Sequence, residues 1–107
     1  MATSAYLVLV TAPPEAAGEL ARRLVEERLA ACVNRVPGLR SVYRWEGRVE
    51  EDEEVLLLIK TPADRLEALK KRVPELHPYR VPEVLALPVA DGHPPYLAWL
   101  VEATRFS

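Results

Sequence analysis

The sequence predicts a single α+β domain with the element order βαββαβ, closed by a further C-terminal helix. Three observations lead there. Apolar, β-prone runs at residues 5–11 and 55–59 stand next to stretches whose apolar residues recur at helical spacing. Prolines mark the strand-to-helix junctions at Pro13-Pro14, Pro62 and Pro94-Pro95, positions where a missing N–H costs no helical hydrogen bond. The length of 107 residues, half of them apolar, suits one domain with one core.

Ala5-Tyr6-Leu7-Val8-Leu9-Val10-Thr11 is apolar nearly throughout and predicts a strand buried on both faces. Pro13 and Pro14 stop it and open a helix, with Glu15 placed to favour the helix dipole. Ala17, Leu20, Ala21, Leu24 and Val25 form the apolar face, opposite Arg22, Arg23, Glu26 and Glu27, out to about Ala30. Residues 31–45 read as one long strand, bent or bulged at Pro37-Gly38, with Tyr43 and Trp45 sharing a face. Glu46-Gly47 is a hairpin turn into a returning strand, 48–60. That strand starts acidic, at residues 50–54, and ends as the buried run Val55–Ile59. Its acidic half is expected to project as a solvated β-ribbon. A second helix carries Leu66, Leu69 and Val73 and is expected to stop at Pro74. A proline-rich loop, 74–82, leads to a fourth strand at 83–89, a turn at Asp91-Gly92, and a last helix with Leu97, Leu100 and Val101. Two crossover units sharing one antiparallel sheet, with helices on one face, make a ferredoxin-like sandwich spanning 1–107. The long ribbon exposes strand edges, which proteins cover, so a symmetric oligomer is expected.

Composition narrows the function. The net charge is −2 with signs interspersed, so no basic surface for nucleic acid or an anionic membrane is expected. The third strand carries aliphatic side chains, not the aromatics on which RNA bases stack. A single cysteine, Cys32, excludes a disulfide framework. The N-terminus lacks the pattern of a signal peptide and the longest apolar run is too short to cross a bilayer, so the cytoplasm is the expected location. Arg outnumbers Lys by 11 to 3, Gln is absent, and there are ten prolines against four glycines; that balance points to a thermophile.

The four glycines are isolated, so no phosphate-cradling loop is present. No nucleophile and base stand at a recognisable spacing, and an enzyme is not expected. Cys32, His77 and His93 are the soft and borderline metal donors. They lack the paired spacing of a closed zinc site, but a thiolate with an imidazole suits copper or zinc. One donor per chain also makes a shared site possible in a symmetric oligomer. Tyr43, Trp45 and Glu46 form a second cluster, fit either to pack under a neighbouring subunit or to line a pocket.

Several motifs occur in order: Val10-Thr11-Ala12-Pro13, Leu29-Ala30-Ala31-Cys32-Val33-Asn34, Ser41-x-Tyr43-x-Trp45-Glu46-Gly47, His77-Pro78-Tyr79-x-x-Pro82-Glu83 and Tyr96-Leu97-x-Trp99. Together they resemble the CutA family of divalent-cation tolerance proteins over nearly the whole chain. The resemblance implies a tight homotrimer interlocked through the β-ribbons, a link to tolerance of copper and other divalent cations, and an architecture similar to the trimeric PII signalling proteins. No cofactor is expected to be required for folding. The residues the resemblance places near inter-subunit clefts are Cys32, Trp45, Glu46, Lys60, His77, Tyr79 and Glu83. Two donors found in some members are replaced here, by Val10 and Leu76. That leaves His77, with Cys32, as the expected metal ligands for copper or another divalent cation. Trp45, Glu46, Lys60, Tyr79 and Glu83 are then the expected contacts to a small ligand.

Overall fold

Four strands form one sheet in the order Cys32–Trp45, Arg48–Pro62, Ala5–Ala12, Leu85–Pro88, every neighbour antiparallel. In this computed structural model the described residues are 4–106, so both ends of the expected 1–107 domain lie outside the description. The strands are β1 (Ala5–Ala12), β2 (Cys32–Trp45), β3 (Arg48–Pro62) and β4 (Leu85–Pro88), and the α-helices are α1 (Pro14–Glu26), α2 (Leu66–Leu76) and α3 (Pro94–Ala103). A single 3-10 turn, Ala63–Arg65, leads into α2. The βαββαβ plan with an added C-terminal helix is what the sequence predicts.

The main core lies between one face of the sheet and α1 with α2. Val8, Val10 and Ala12 of β1 meet Val55, Leu57 and Ile59 of β3, and the helices cover them with Leu20, Leu24, Leu69 and Val73. The expected burial of β1 on both faces does not hold within one chain. Leu7 and Leu9 point the other way and are half-buried. The reason is that, among the described residues, α3 is the one helix that packs on that open face, at its Ala5 end, where Leu100 packs on Ala5 and Ala31. The rest of the face presents Val36, Leu85 and Leu87 as exposed apolar side chains.

The ribbon forms as expected. β1 pairs with β3 only from Val55 to Pro62, so Arg48–Glu54 pairs with β2 alone and projects beyond the sheet. Register slips between Val36 and Leu39, where Pro37 lacks a donor and Gly38 takes φ +81°. Trp45 pairs with Arg48 across the two-residue turn Glu46-Gly47, both with positive φ, the backbone a tight hairpin needs.

Besides shifts of one or two residues at the ends of β1, β2 and β3, three elements differ from expectation. α1 ends at Glu26, not near Ala30. Arg28 adopts φ +61°; its N–H donates to the Val25 carbonyl and the Leu29 N–H to that of Leu24, a Schellman closure built without glycine. α2 runs through Pro74 to Leu76; losing one N–H in the last turn is tolerated because Leu69, Val73 and Leu76 keep that face on the core. β4 is limited to Leu85–Pro88, which pairs with Tyr6–Leu9.

One ion-pair cluster joins the helices. Arg72 donates from Nε and Nη2 to Glu27 at 2.8 and 3.0 Å, and Arg23 donates to the same carboxylate at 2.9 Å. These bonds, Arg72 first, pull the Glu27 carboxyl from its ordinary 4.5 to about 2. A carboxyl lowered by folding contributes stability above its unfolded value and loses it as pH falls through the folded one. With Glu27 30% exposed, the contribution is about 1 kcal/mol after solvent screening. Denaturant midpoints should therefore fall between about pH 5 and pH 2 in the parent chain, and less steeply in Glu27→Gln. Equal slopes in the two chains would remove Glu27 from the acid response.

Candidate functional site

The sheet carries two polar clusters at opposite ends of its open face. The first follows from pairing. Cys32 lies opposite Lys60, and Asn34 opposite Leu58. Lys60 Nζ donates to Asn34 Oδ1 and stands 4.0 Å from Cys32 Sγ. From α3, Tyr96 brings its hydroxyl to the same thiol; burial, then Cys32, raises the Tyr96 phenol above its ordinary value.

The second cluster sits where β1 ends and the ribbon begins. The 77–83 segment crosses there, and His77 fixes it. Only 7% of His77 is exposed. Its Nδ1 accepts the Tyr79 N–H at 3.1 Å, and its Nε2 lies 2.8 Å from the Thr11 carbonyl. A ring nitrogen that accepts a backbone N–H carries no proton, so Nε2 carries it and donates to Thr11. Both ring nitrogens are thereby committed to the backbone. The imidazole also packs on the Tyr79 ring, centroids 4.7 Å apart.

Tyr79 reaches back to β3 and donates from its hydroxyl to Glu54 Oε2 at 2.7 Å. Burial and then this bond push the Tyr79 phenol well above its ordinary value. Alternation along the ribbon puts Tyr43 and Trp45 on the same face as Glu54. Tyr43 donates to Asp52, and that bond, followed by burial, pushes its phenol up to about 12. Arg80 lies over the Trp45 ring at 5.3 Å and within 3.7 Å of Glu46. Tyr43, Trp45, Glu54, Tyr79 and Arg80, with Thr11 and Glu83, line a cleft of about 680 Å³.

Trp45, Tyr79 and Glu83 are thus brought together, and Glu46 stands at their margin through Arg80. Lys60 and Cys32 are not. Lys60 pairs with Leu7 and Leu56 with Thr11, four residues along the strand, or about 13 Å. His93 is the exposed N-cap of α3. Among the described residues no three His, Cys, Asp or Glu side chains converge to hold a metal ion. Within one chain, then, the donors do not fit a metal centre: His77 is fully bonded and Cys32 is remote from it.

Glu54 is the residue that sequence reasoning missed. It closes an acidic run expected to be solvated, yet it is 5% exposed. The signal was period two: Glu50, Asp52 and Glu54 share the face of Leu56 and Leu58, and the last of them meets the body of the sheet.

Comparison with known proteins agrees with the fold. The model of the CutA1 divalent ion tolerance protein family matches residues 6–103. The divalent-cation tolerance protein CutA of Thermus thermophilus is 59% identical over 99 residues, covering 92% of this chain and 96% of that protein. Human protein CutA is 50% identical over 103 residues, and there the chain spans 58% of the relative's length. A solved Thermus thermophilus Cut A1 structure superposes with TM-score 0.89 at 57% identity, covering 94% of this chain and 99% of that one. A PII-like protein CutA from Nostoc, in apo form, superposes at 0.89 with 37% identity, covering 94% and 97%. The ferredoxin-like order, the projecting ribbon and the match over 6–103 place this chain in the CutA1 family of divalent ion tolerance proteins.

Proposed function

We propose that this chain serves divalent-cation tolerance as a cytoplasmic homotrimer, one domain per subunit. It binds copper or another divalent cation weakly where subunits meet, with His77 and Cys32 as donors, and it catalyses no reaction. One observation carries the reading: Cys32 sits on a sheet face whose apolar residues are uncovered, apart from the buried His77 at the end of α2, so a cation site using both is completed only by a second copy. Weakness follows from His77, which must give up a backbone hydrogen bond before it can ligate. Light scattering should return three times the 12.0 kDa chain mass; a monomer mass would overturn the reading. Calorimetric copper titration of the parent, Cys32→Ser and His77→Gln should give weaker binding in each variant. Superimposable isotherms would eliminate both donors.

A second reading is favoured by the cleft. A PII-like signalling trimer would take a small anionic metabolite there, against Trp45, Tyr79, Glu46 and Glu83, with Lys60 delivered by a neighbouring subunit. A thermal-shift screen of organic anions tests it, and no stabilisation by any of them would count against it.

A further inference from the structure

The cleft holds a carboxylate that is nearly buried and, among the described residues, has no ion-pair partner. Glu54 is 5% exposed; among the described residues its carboxylate accepts one hydrogen bond, from the neutral Tyr79 hydroxyl, and forms no ion pair with Lys, Arg or His. Buried charges are ordinarily paired, because an unpaired one keeps its desolvation cost without Coulombic return. Glu54 lines the cleft, whose other ionisable rim residues are Glu83 and Arg80. The lining is therefore acidic on balance and repels an anion.

The walls narrow the class further. Tyr43, Trp45 and Tyr79 supply aromatic surface, which attracts cations through the ring quadrupole. The protein's own Arg80 guanidinium already lies over Trp45, on an exposed side chain free to swing away. A bare divalent ion needs several oxygen ligands, and no three-donor group is present among the described residues. An ammonium needs one strong acceptor and an apolar, polarisable surround.

We propose that the cleft binds a small organic cation, a primary ammonium or guanidinium on an apolar body, with its charge on Glu54 and its body against Trp45, Tyr43 and Tyr79. The proposal rests on the reading of the cleft as a small-molecule site and reverses the charge of the ligand.

Three probes of matched shape separate the two ideas: 2-phenylethylamine, 2-phenylethanol and 3-phenylpropionate, titrated into the full chain while the Trp45 and Tyr79 NMR signals are followed. The amine should bind tightest. Glu54→Gln, which retains an acceptor for the Tyr79 hydroxyl, should weaken the amine about tenfold and leave the alcohol unchanged. If Glu54→Gln does not fold, Glu83→Lys at the exposed rim serves instead, weakening the amine and strengthening the propionate. Propionate binding as tight as the amine would overturn the charge assignment while sparing the cleft. Unmoved Trp45 and Tyr79 signals with all three probes would sink the cleft reading and this proposal together. Amine affinity equal in parent and variant would overturn the role of Glu54.

Discussion

His77→Ala is expected to lower the unfolding free energy by about 3 kcal/mol, a large loss for a residue on a connecting segment. The side chain fills buried space and satisfies two backbone groups, the Tyr79 N–H and the Thr11 carbonyl. Truncation opens a cavity and strips both partners at once. The consequence reaches the cleft, because Tyr79 follows His77 and loses the contact that holds its ring beside Glu54. Urea unfolding gives the energy, and hydrogen exchange at the Tyr79 amide reports the local release. A cost under about 1 kcal/mol with an unchanged Tyr79 amide would mean the imidazole does not fix this segment.

Leu57→Ala is expected to cost more, about 4 kcal/mol. Leu57 is fully buried on β3, one of the two inner strands, opposite Val10. For a domain of this size that is a fall in Tm of roughly 16 °C or more. Its neighbour Leu58 faces the open side and is half-buried in one chain, so the pair measures what covers that side. In the proposed homotrimer, Leu58→Ala should approach the cost of Leu57→Ala and make Tm depend on protein concentration. A cost near 1 kcal/mol that is independent of concentration would show the open face to be solvated in the native protein.

The element order was legible because strands and helices here carry clean periodicities and prolines stand at the junctions. The ends were less so. Nothing in Glu27-Arg28-Leu29 signals a helix stop, since arginine at a left-handed position costs energy that the caps and the burial of Leu29 offset. Pro74 reads as a terminator, but packing of Val73 and Leu76 holds one further turn. The site was half legible. Trp45, Tyr79 and Glu83 meet at one cleft within the chain, whereas strand pairing sets Lys60 beside Cys32. Position along a strand decides which cluster a residue joins, and that depends on register, which the order of motifs does not encode. Glu54 was hidden for another reason: five consecutive acids look alike until one of them is turned into the sheet.

The hairpin closed by Glu46-Gly47 has a bearing on time as well as on shape. Its rungs near the turn join residues only a few positions apart, so it can zip within microseconds. β1 must instead find β3 some fifty residues away, and β4 farther still, at the greater entropic cost of closing long loops. The ribbon is thus expected to stand early, with the 77–83 segment and β4 arriving last onto it. The wall that completes the cleft belongs to that late part. It would be the first to detach in partial opening events, so the cleft would breathe without disturbing the ribbon or the core.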